Sequence, residues 1–273
     1  MTAPFAQGSL NGAALRATSS PPLQKLLRKR TDMTEKLILA SGSPRRREIL
    51  TMAGYQFTVL SPDADESAPG LSPAELVQEL SRRKAAAATA VAGPRHVILA
   101  ADTVVALDEK ILGKPKNAAH AAEMLSMLSG RTHTVYTGFT ICGEAPAGKY
   151  RMQNLLHDTL SHKDKDTTTS FEASCVEASA GKHPSITHVV AAQVTMRDIA
   201  KEEINAYVAT GSPLDKAGAY GIQEAAGMFI QTIQGDYYSI MGLPICPVSV
   251  ILRDTFGIVP VPQKIQREKP GKV

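Results

Sequence analysis

The chain has 273 residues, enough for one large domain or two small ones, with 43% hydrophobic and 21% charged residues and a formal net charge of +4. That charge falls short of a nucleic-acid packaging protein and suits an anionic small ligand as well. The three cysteines, Cys142, Cys175 and Cys246, stand far apart in no CxxC spacing, which argues against a disulfide framework or zinc ribbon and for a reducing compartment; the longest apolar run, 96–107, is too short for a membrane span.

Residues 1–34 scatter Gly, Ser and Pro without a sustained period, and their basic residues precede the first acid, Asp32. They read as a disordered tail, with an organelle-targeting peptide as the alternative; no apolar core of a secretory signal is present. From Lys36 the pattern becomes regular. "KLILA" is a short buried strand, and Ser43 and Pro44 then stand at the cap and first position of a helix that runs to Gly54. "YQFTVLSP" reads as a second strand. "SPAE" at 72–75 is a capping box opening a helix through "KAAAATAVAG". Residues 96–108 form a strand apolar on both faces, central to a sheet with cover on each side. A helix over 118–130 follows, then a strand over 132–143. Beyond it come a strand "ITHVVAAQVTM", a helix "DIAKEEINAYVATG", a strand "MFIQTI" and a helix "LPICPVSVILRDTFG". The alternation predicts an α/β protein with a mixed sheet. Residues 144–185, centred on "HKDKDTTTS", are too long for an ordinary connection and too polar for a core, and read as a disordered surface insertion or a partner-binding loop. The organisation is a tail over 1–34, a domain over 35–258 carrying that insertion, and a C-terminal tail over 259–273.

The chemistry centres on Asp102, in the middle of "VILAADTVVAL". An unpaired carboxylate costs several kcal/mol to bury, so a strand this apolar would normally exclude it. Such a carboxylate wants a cation, either Mg²⁺ or a nearby lysine. Lys84, on the capping-box helix, and Lys114, in the stiff turn "LGKPK", are candidates. Arg45 and Arg46 stand in a helix's first turn, where free N–H groups and the dipole already favour anions. Arginine opposes that dipole, and a bound phosphate chain would reverse the penalty, adding guanidinium forks to backbone donors. "GSPLDKAGAYGIQ" (211–223) is a glycine-rich loop where backbone can approach a ligand closely. No Walker A motif, no GxGxxG after the first strand and no GxSxG elbow is present. A nucleic-acid binder would want aromatics for stacking, and aromatics are 5% of the chain.

The stretches "LILASGSPRRREIL", "AADTVVALDEKILGKPKNAAHAAEMLSMLSGRTHTVYTGF", "ATGSPLDKAGAYGIQ" and "IQGDYYSIMGLPICPV" resemble the Maf family of nucleoside triphosphate pyrophosphatases, over roughly residues 36–143 and 189–257. The resemblance implies a mixed, elongated α/β sheet flanked by helices, similar to inosine triphosphate pyrophosphatases, with the nucleotide in a cleft between two lobes. It implies cleavage of a nucleoside triphosphate to monophosphate and pyrophosphate with Mg²⁺ or Mn²⁺, in nucleotide-pool house-cleaning. The "SPRR" form points to the dTTP and UTP branch, with CTP or modified pyrimidine nucleotides as further candidates. Carried over residue by residue, Ser43, Arg45, Arg46, Lys84, Lys114, Lys216 and Gln223 bind substrate, Glu66 and Asp102 hold the metal, and Asp102 is catalytic. Ser239 stands where many members have asparagine. The implied setting is a cytoplasmic homodimer with no membrane or nucleic-acid partner. The alternative is a nucleotide-binding regulator of septation without turnover.

Overall fold

An eleven-residue strand of nearly unbroken apolar character needs cover on both faces and neighbours on both sides, and Val97–Leu107 (β3) has them. The computed structural model describes residues 36–93, 95–108, 110–146 and 183–261. Around β3 lie β1 (Leu37–Ala40), α1 (Pro44–Met52), β2 (Thr58–Val59), α2 (Pro73–Ala92), β4 (Lys110–Leu112) and α3 (Ala118–Leu128). Then come β5 (Thr132–Gly143), β6 (Ser185–Met196) and α4 (Lys201–Ala209). Three 3₁₀ turns (Ser212–Asp215, Ala217–Ala219, Ala225–Phe229) precede β7 (Ile230–Gln234), α5 (Tyr237–Met241) and α6 (Ile245–Asp254). Among the described residues the sheet has seven strands, ordered β2-β1-β3-β5-β6-β7 with β4 also on β3. It is mixed, because β1 runs parallel to β3 whereas β4 and β5 run antiparallel to it.

One edge of β3 is shared. β1 pairs with it up to Ala100, and β4 takes over at Val105. Residues 101–104 have no strand partner on that side among the described residues, while β5 continues on the other. The chain leaving β1 turns away there into α1, and the sheet opens between two diverging neighbours, the arrangement in which open α/β sheets take ligands.

The alternation of β3 side chains assigns each face its cover. Ile98, Ala100 and Val104 face α2, against Ala85, Ala88 and Val77. On the other face, Leu99 and Ala101 join Ile49, Leu50 and Leu252 of α1 and α6 in one core, and Val105 and Leu107 join Leu125, Ile204 and Phe229 in a second. The long helix α2 starts where a capping box fixes it: Glu75 N donates to Ser72 Oγ, and Ser72 N donates back to Glu75 Oε2. Such a cap is worth about 1 kcal/mol. The helix lies unusually close to the sheet because Gly138, opposite Asp102 on β5, has no side chain. A Cβ there would stand 2.4 Å from the Val77 carbonyl oxygen. Ser81, fully buried, fastens the same contact by hydrogen-bonding Thr140 Oγ1 at 2.8 Å.

Several boundaries differ from the sequence expectation. The strand expected over "YQFTVLSP" shortens to Thr58–Val59, because Tyr55 and Phe57 turn into the first core and leave two residues to pair with β1. Met228 and Phe229 belong to a 3₁₀ turn, and β7 starts at Ile230. The helix α4 starts at Lys201 rather than Asp198, since Ile199 drops into the second core and its N–H is taken by Ser129 Oγ. The last helix starts at Ile245 because α5, absent from the expectation, and its left-handed cap Gly242 come first. Past residue 258 the chain stays tied to the start of the fold, where Val261 N donates to Gly54 O at 2.8 Å.

The N-terminal tail and nearly all of the 144–185 insertion lie outside the described residues. The strands flanking that insertion are paired to their ends, with Cys142 opposite Ser185 and Gly143 N donating to Pro184 O. Replacing 147–182 by a short Gly/Ser linker is therefore expected to leave Tm and turnover nearly unchanged, because each halving of loop length alters closure by about 0.6 kcal/mol. A large fall in either, by calorimetry or rate assay, sinks this expectation.

Candidate active site

The opening beside β3 residues 101–104 becomes a cleft of ≈ 950 Å³, within the range of small-molecule sites. Its walls come from the β1–α1 turn, the 61–66 loop, α2, β3, the β4–α3 turn, the second 3₁₀ turn and the end of α5. Asp102 and Thr103 are consecutive, so they point to opposite faces of the sheet. At a gap in the edge, both faces reach the same cavity.

On the α2 face, Asp102 meets Lys84. The Lys84 ammonium lies 2.5 Å from Asp102 Oδ1 and 2.9 Å from Glu66 Oε1. Lys84 and Asp102 are largely enclosed, with side chains 17% and 14% exposed, whereas Glu66 is 65% exposed on its loop. The hydrogen bond from Lys84 holds the Glu66 carboxyl below its ordinary range. One ammonium thus joins two carboxylates from segments 36 positions apart in sequence.

On the opposite face, Arg46 is buried and serves as a hub. Its Nε donates to Gly242 O at 2.7 Å, Nη1 to Ser41 Oγ at 3.0 Å and Nη2 to Thr103 Oγ1 at 3.1 Å. Burial works against its charge, and the Asp102 and Glu66 carboxylates work for it. Beyond Thr103 the network continues to Thr137 Oγ1 at 2.7 Å, and Thr137 donates to the Ser239 carbonyl at 2.7 Å. A carbonyl oxygen can only accept, so every proton in this row is assigned. Arg46 gives to Thr103, Thr103 to Thr137, and Thr137 to Ser239. The row ties β3, β5 and α5 to the helix that carries Arg45.

Three of the expected residues, Glu66, Lys84 and Asp102, are brought together. Ser43 and Arg45 line the cleft at the start of α1, whose cap residue Ser43 makes no side-chain capping bond. Lys114, exposed, lines the same cleft from the β4–α3 turn. That turn is anchored by Gly218, whose N–H donates to Gly113 O at 3.1 Å and whose Cβ, if present, would lie 2.9 Å from Val105. The glycine at 218 therefore serves packing against β3 rather than approach to a ligand. Lys216 sits behind the wall: it is 4% exposed and donates to Ser212 O and Asp215 Oδ1, both at 2.6 Å, with Glu224 Oε1 at 3.1 Å. Gln223 is exposed and donates to Glu48 at 3.3 Å. Ser239 is fully buried, its hydroxyl spent on Asp236 O.

Residues unforeseen from sequence include Thr103, Thr137 and Tyr220. The buried Tyr220 hydroxyl lies 2.7 Å from His133 Nε2 and fixes the wall at Gly221 and Ile222. Burial pushes His133 down to about 4, so this pair is neutral at ordinary pH. A threonine beside Asp102 in an otherwise apolar strand was the available signal. The lining thus combines cations and carboxylates with apolar side chains, among them Val105, Val135, Ala217 and Ile240. Such a site can hold a polyanion that carries an apolar body.

Comparison with known proteins agrees with this chemistry. The model of one protein family, Maf (Maf-like protein), matches residues 36–164 and 156–255. A protein of Bacillus cereus (strain ATCC 10987 / NRS 248) named dTTP/UTP pyrophosphatase is 41% identical over 220 residues, covering 80% of this chain and 89% of the relative. Proteins of the same name from Bacillus anthracis (strain CDC 684 / NRRL 3495) and Bacillus thuringiensis subsp. konkukian (strain 97-27) are each 42% identical over 211 residues, covering 77% of this chain and 90% of the relative.

Proposed function

The chain belongs to the Maf-like protein family, and we propose that its cleft hydrolyses dTTP and UTP to the monophosphate and pyrophosphate. The observation that carries this reading is the Glu66–Lys84–Asp102 group at the gap in β3, in a cavity that Arg45 and Lys114 also line. In this reading the triphosphate lies along the cationic end, with Arg45, Lys84 and Lys114 against its oxygens and Ser43 and the open start of α1 supplying donors. Arg46 has N–H groups left over after its three protein bonds, and contributes its charge from beneath. Asp102 orients a water for in-line attack on the α-phosphorus and takes its proton. The new P–O bond forms as the bond to the β-phosphate oxygen breaks, and the pyrophosphate charge stays on the arginine and lysine side chains. Little covalent work falls to the protein; positioning and electrostatics dominate.

A divalent metal fits the donor set. Among the described residues no group of three or more His, Cys, Asp or Glu side chains is arranged for an ion. Glu66 and Asp102 nevertheless converge on the same cation, and Mg²⁺ is commonly held by one or two carboxylates with substrate phosphates and water completing its shell. When bound, Mg²⁺ or Mn²⁺ neutralises phosphate charge as a Lewis acid.

Lys216 and Gln223 act in this reading through the 211–224 loop, which presents Gly221 and Ile222 to the base. The same family likeness supports a homodimer in the cytoplasm. Among the described residues no helix is long and apolar enough to cross a membrane.

Pyrophosphate release from a panel of nucleotides with Mg²⁺ tests the reading. UTP and dTTP should turn over faster than ATP and GTP. Purine preference would overturn the branch assignment. Tight UTP binding without pyrophosphate would favour a nucleotide-binding regulator.

A further inference from the structure

Glu66 projects from an exposed loop, yet its carboxylate meets Lys84 at 2.9 Å. Something must hold the loop. Asp63, Asp65, Glu66 and Ser67 are all exposed, and little apolar packing restrains them. The turn closes on itself first: Ser67 N donates to Asp65 Oδ1 at 2.8 Å. The polar bonds joining Asp65, Glu66 and Ser67 to the rest of the described chain then come from two adjacent residues of α2. Lys84 takes the Glu66 carboxylate, and Arg83 takes the backbone on either side of it. Arg83 Nη1 donates to Asp65 O at 3.2 Å and to Ser67 O at 2.9 Å, and lies 3.5 Å from Asp65 Oδ2. Its fork is aimed by Glu79, one helical turn earlier, which accepts from Nε at 2.8 Å. An exposed i,i+4 pair of this kind adds little stability by itself. Here it leaves Nη1 facing two carbonyls that flank a single carboxylate.

We infer that Arg83 is a positioning residue, which clamps the 65–67 turn so that Glu66 reaches the Lys84–Asp102 centre. The inference rests on the role given to Glu66 above. A supporting shell that orients a functional carboxylate is typically worth about 10–100-fold in activity.

The test uses the full chain with Arg83→Gln, Arg83→Lys, Glu66→Gln and the double variant Arg83→Gln/Glu66→Gln. Pyrophosphate release from UTP gives kcat and KM, and hydrogen exchange reads the 61–70 segment. Arg83→Gln should lower kcat by roughly 10-fold, within the range above. It should leave KM within about two-fold, a purely orienting effect that spares ground-state binding, and should speed exchange over 61–70. Arg83→Lys should recover most of kcat, since an ammonium can donate to both carbonyls. In the Glu66→Gln background, Arg83→Gln should add almost nothing, as expected of two residues acting as one unit. Wild-type kcat in Arg83→Gln alongside a slow Glu66→Gln overturns the clamp and spares Glu66. An undiminished effect of Arg83→Gln in the Glu66→Gln background also overturns it. Wild-type kcat in Glu66→Gln removes the role of Glu66 and the clamp's function with it, and unchanged exchange over 61–70 shows that Arg83 does not hold the turn at all.

Discussion

Asp102→Asn is expected to lower kcat by roughly 10²–10⁴-fold, the loss typical of removing a general base, while UTP binding survives or tightens. The substitution keeps size and shape and removes one negative charge facing the triphosphate. Lys84 loses the charge of its 2.5 Å partner, although the asparagine oxygen can still accept from it, and it retains Glu66 at 2.9 Å, so no buried ammonium is stranded and the fold should lose only about 1 kcal/mol. Held less tightly, Lys84 can turn to phosphate. A purely structural Asp102 predicts the reverse, lower stability with normal turnover per folded molecule. Measuring kcat and UTP affinity on one folded sample separates the two. Near-normal kcat in a folded variant would move the search for the base to Glu66.

Arg46→Met should be the most destabilising substitution in the site. Methionine fills comparable space but donates nothing, leaving Gly242 O without its donor and removing one of two partners from Ser41 Oγ, which keeps Ser43 N, and from Thr103 Oγ1, which keeps Thr137. The two hydroxyls can turn to other partners; the carbonyl cannot. Each buried group left unsatisfied costs about 1–3 kcal/mol, so a loss on the order of 3 kcal/mol is expected. For a chain of this size that is a fall in Tm of roughly 6–12 °C. Arg46→Lys should be intermediate, since an ammonium keeps the charge but cannot span three acceptors in a plane. An Arg46→Met protein that melts like the wild type would show that the hub is dispensable for the fold, and a role confined to substrate would then stand.

These two outcomes mark where sequence was informative. The capping box of α2, the two-sided β3 and the anomalous Asp102 were legible because each is a local conflict or signature: a cap residue at fixed spacing, a charge in an apolar run. Arg46 was legible as a cation but not as a hub, because its acceptors lie 5, 57 and 196 positions away. The same reason hid Lys216, whose motif position suggests a ligand contact while the folded loop surrounds it with Ser212, Asp215 and Glu224. The three-residue β4 has no periodicity of its own and exists by pairing with the second half of β3. The five-residue α5 is set by the Asp236 cap and the left-handed Gly242 at its two ends. Arg83 reads from sequence as one more charge on a solvated helix face, and acquires its role from a loop 16–18 positions earlier.

The separation between Lys84 and Asp102 is governed by a residue with neither charge nor side chain. Gly138 acts as a depth stop: it lets the α2 backbone settle onto β5 directly opposite Asp102. Two turns further along, that height becomes the length of an ion pair. Any Cβ at 138 would jack the helix off the sheet, and Lys84 and Arg83 ride on the same lever. Catalytic competence in this architecture can therefore be lost with every ionisable residue intact, and an inventory of charged positions would pass such a chain as sound.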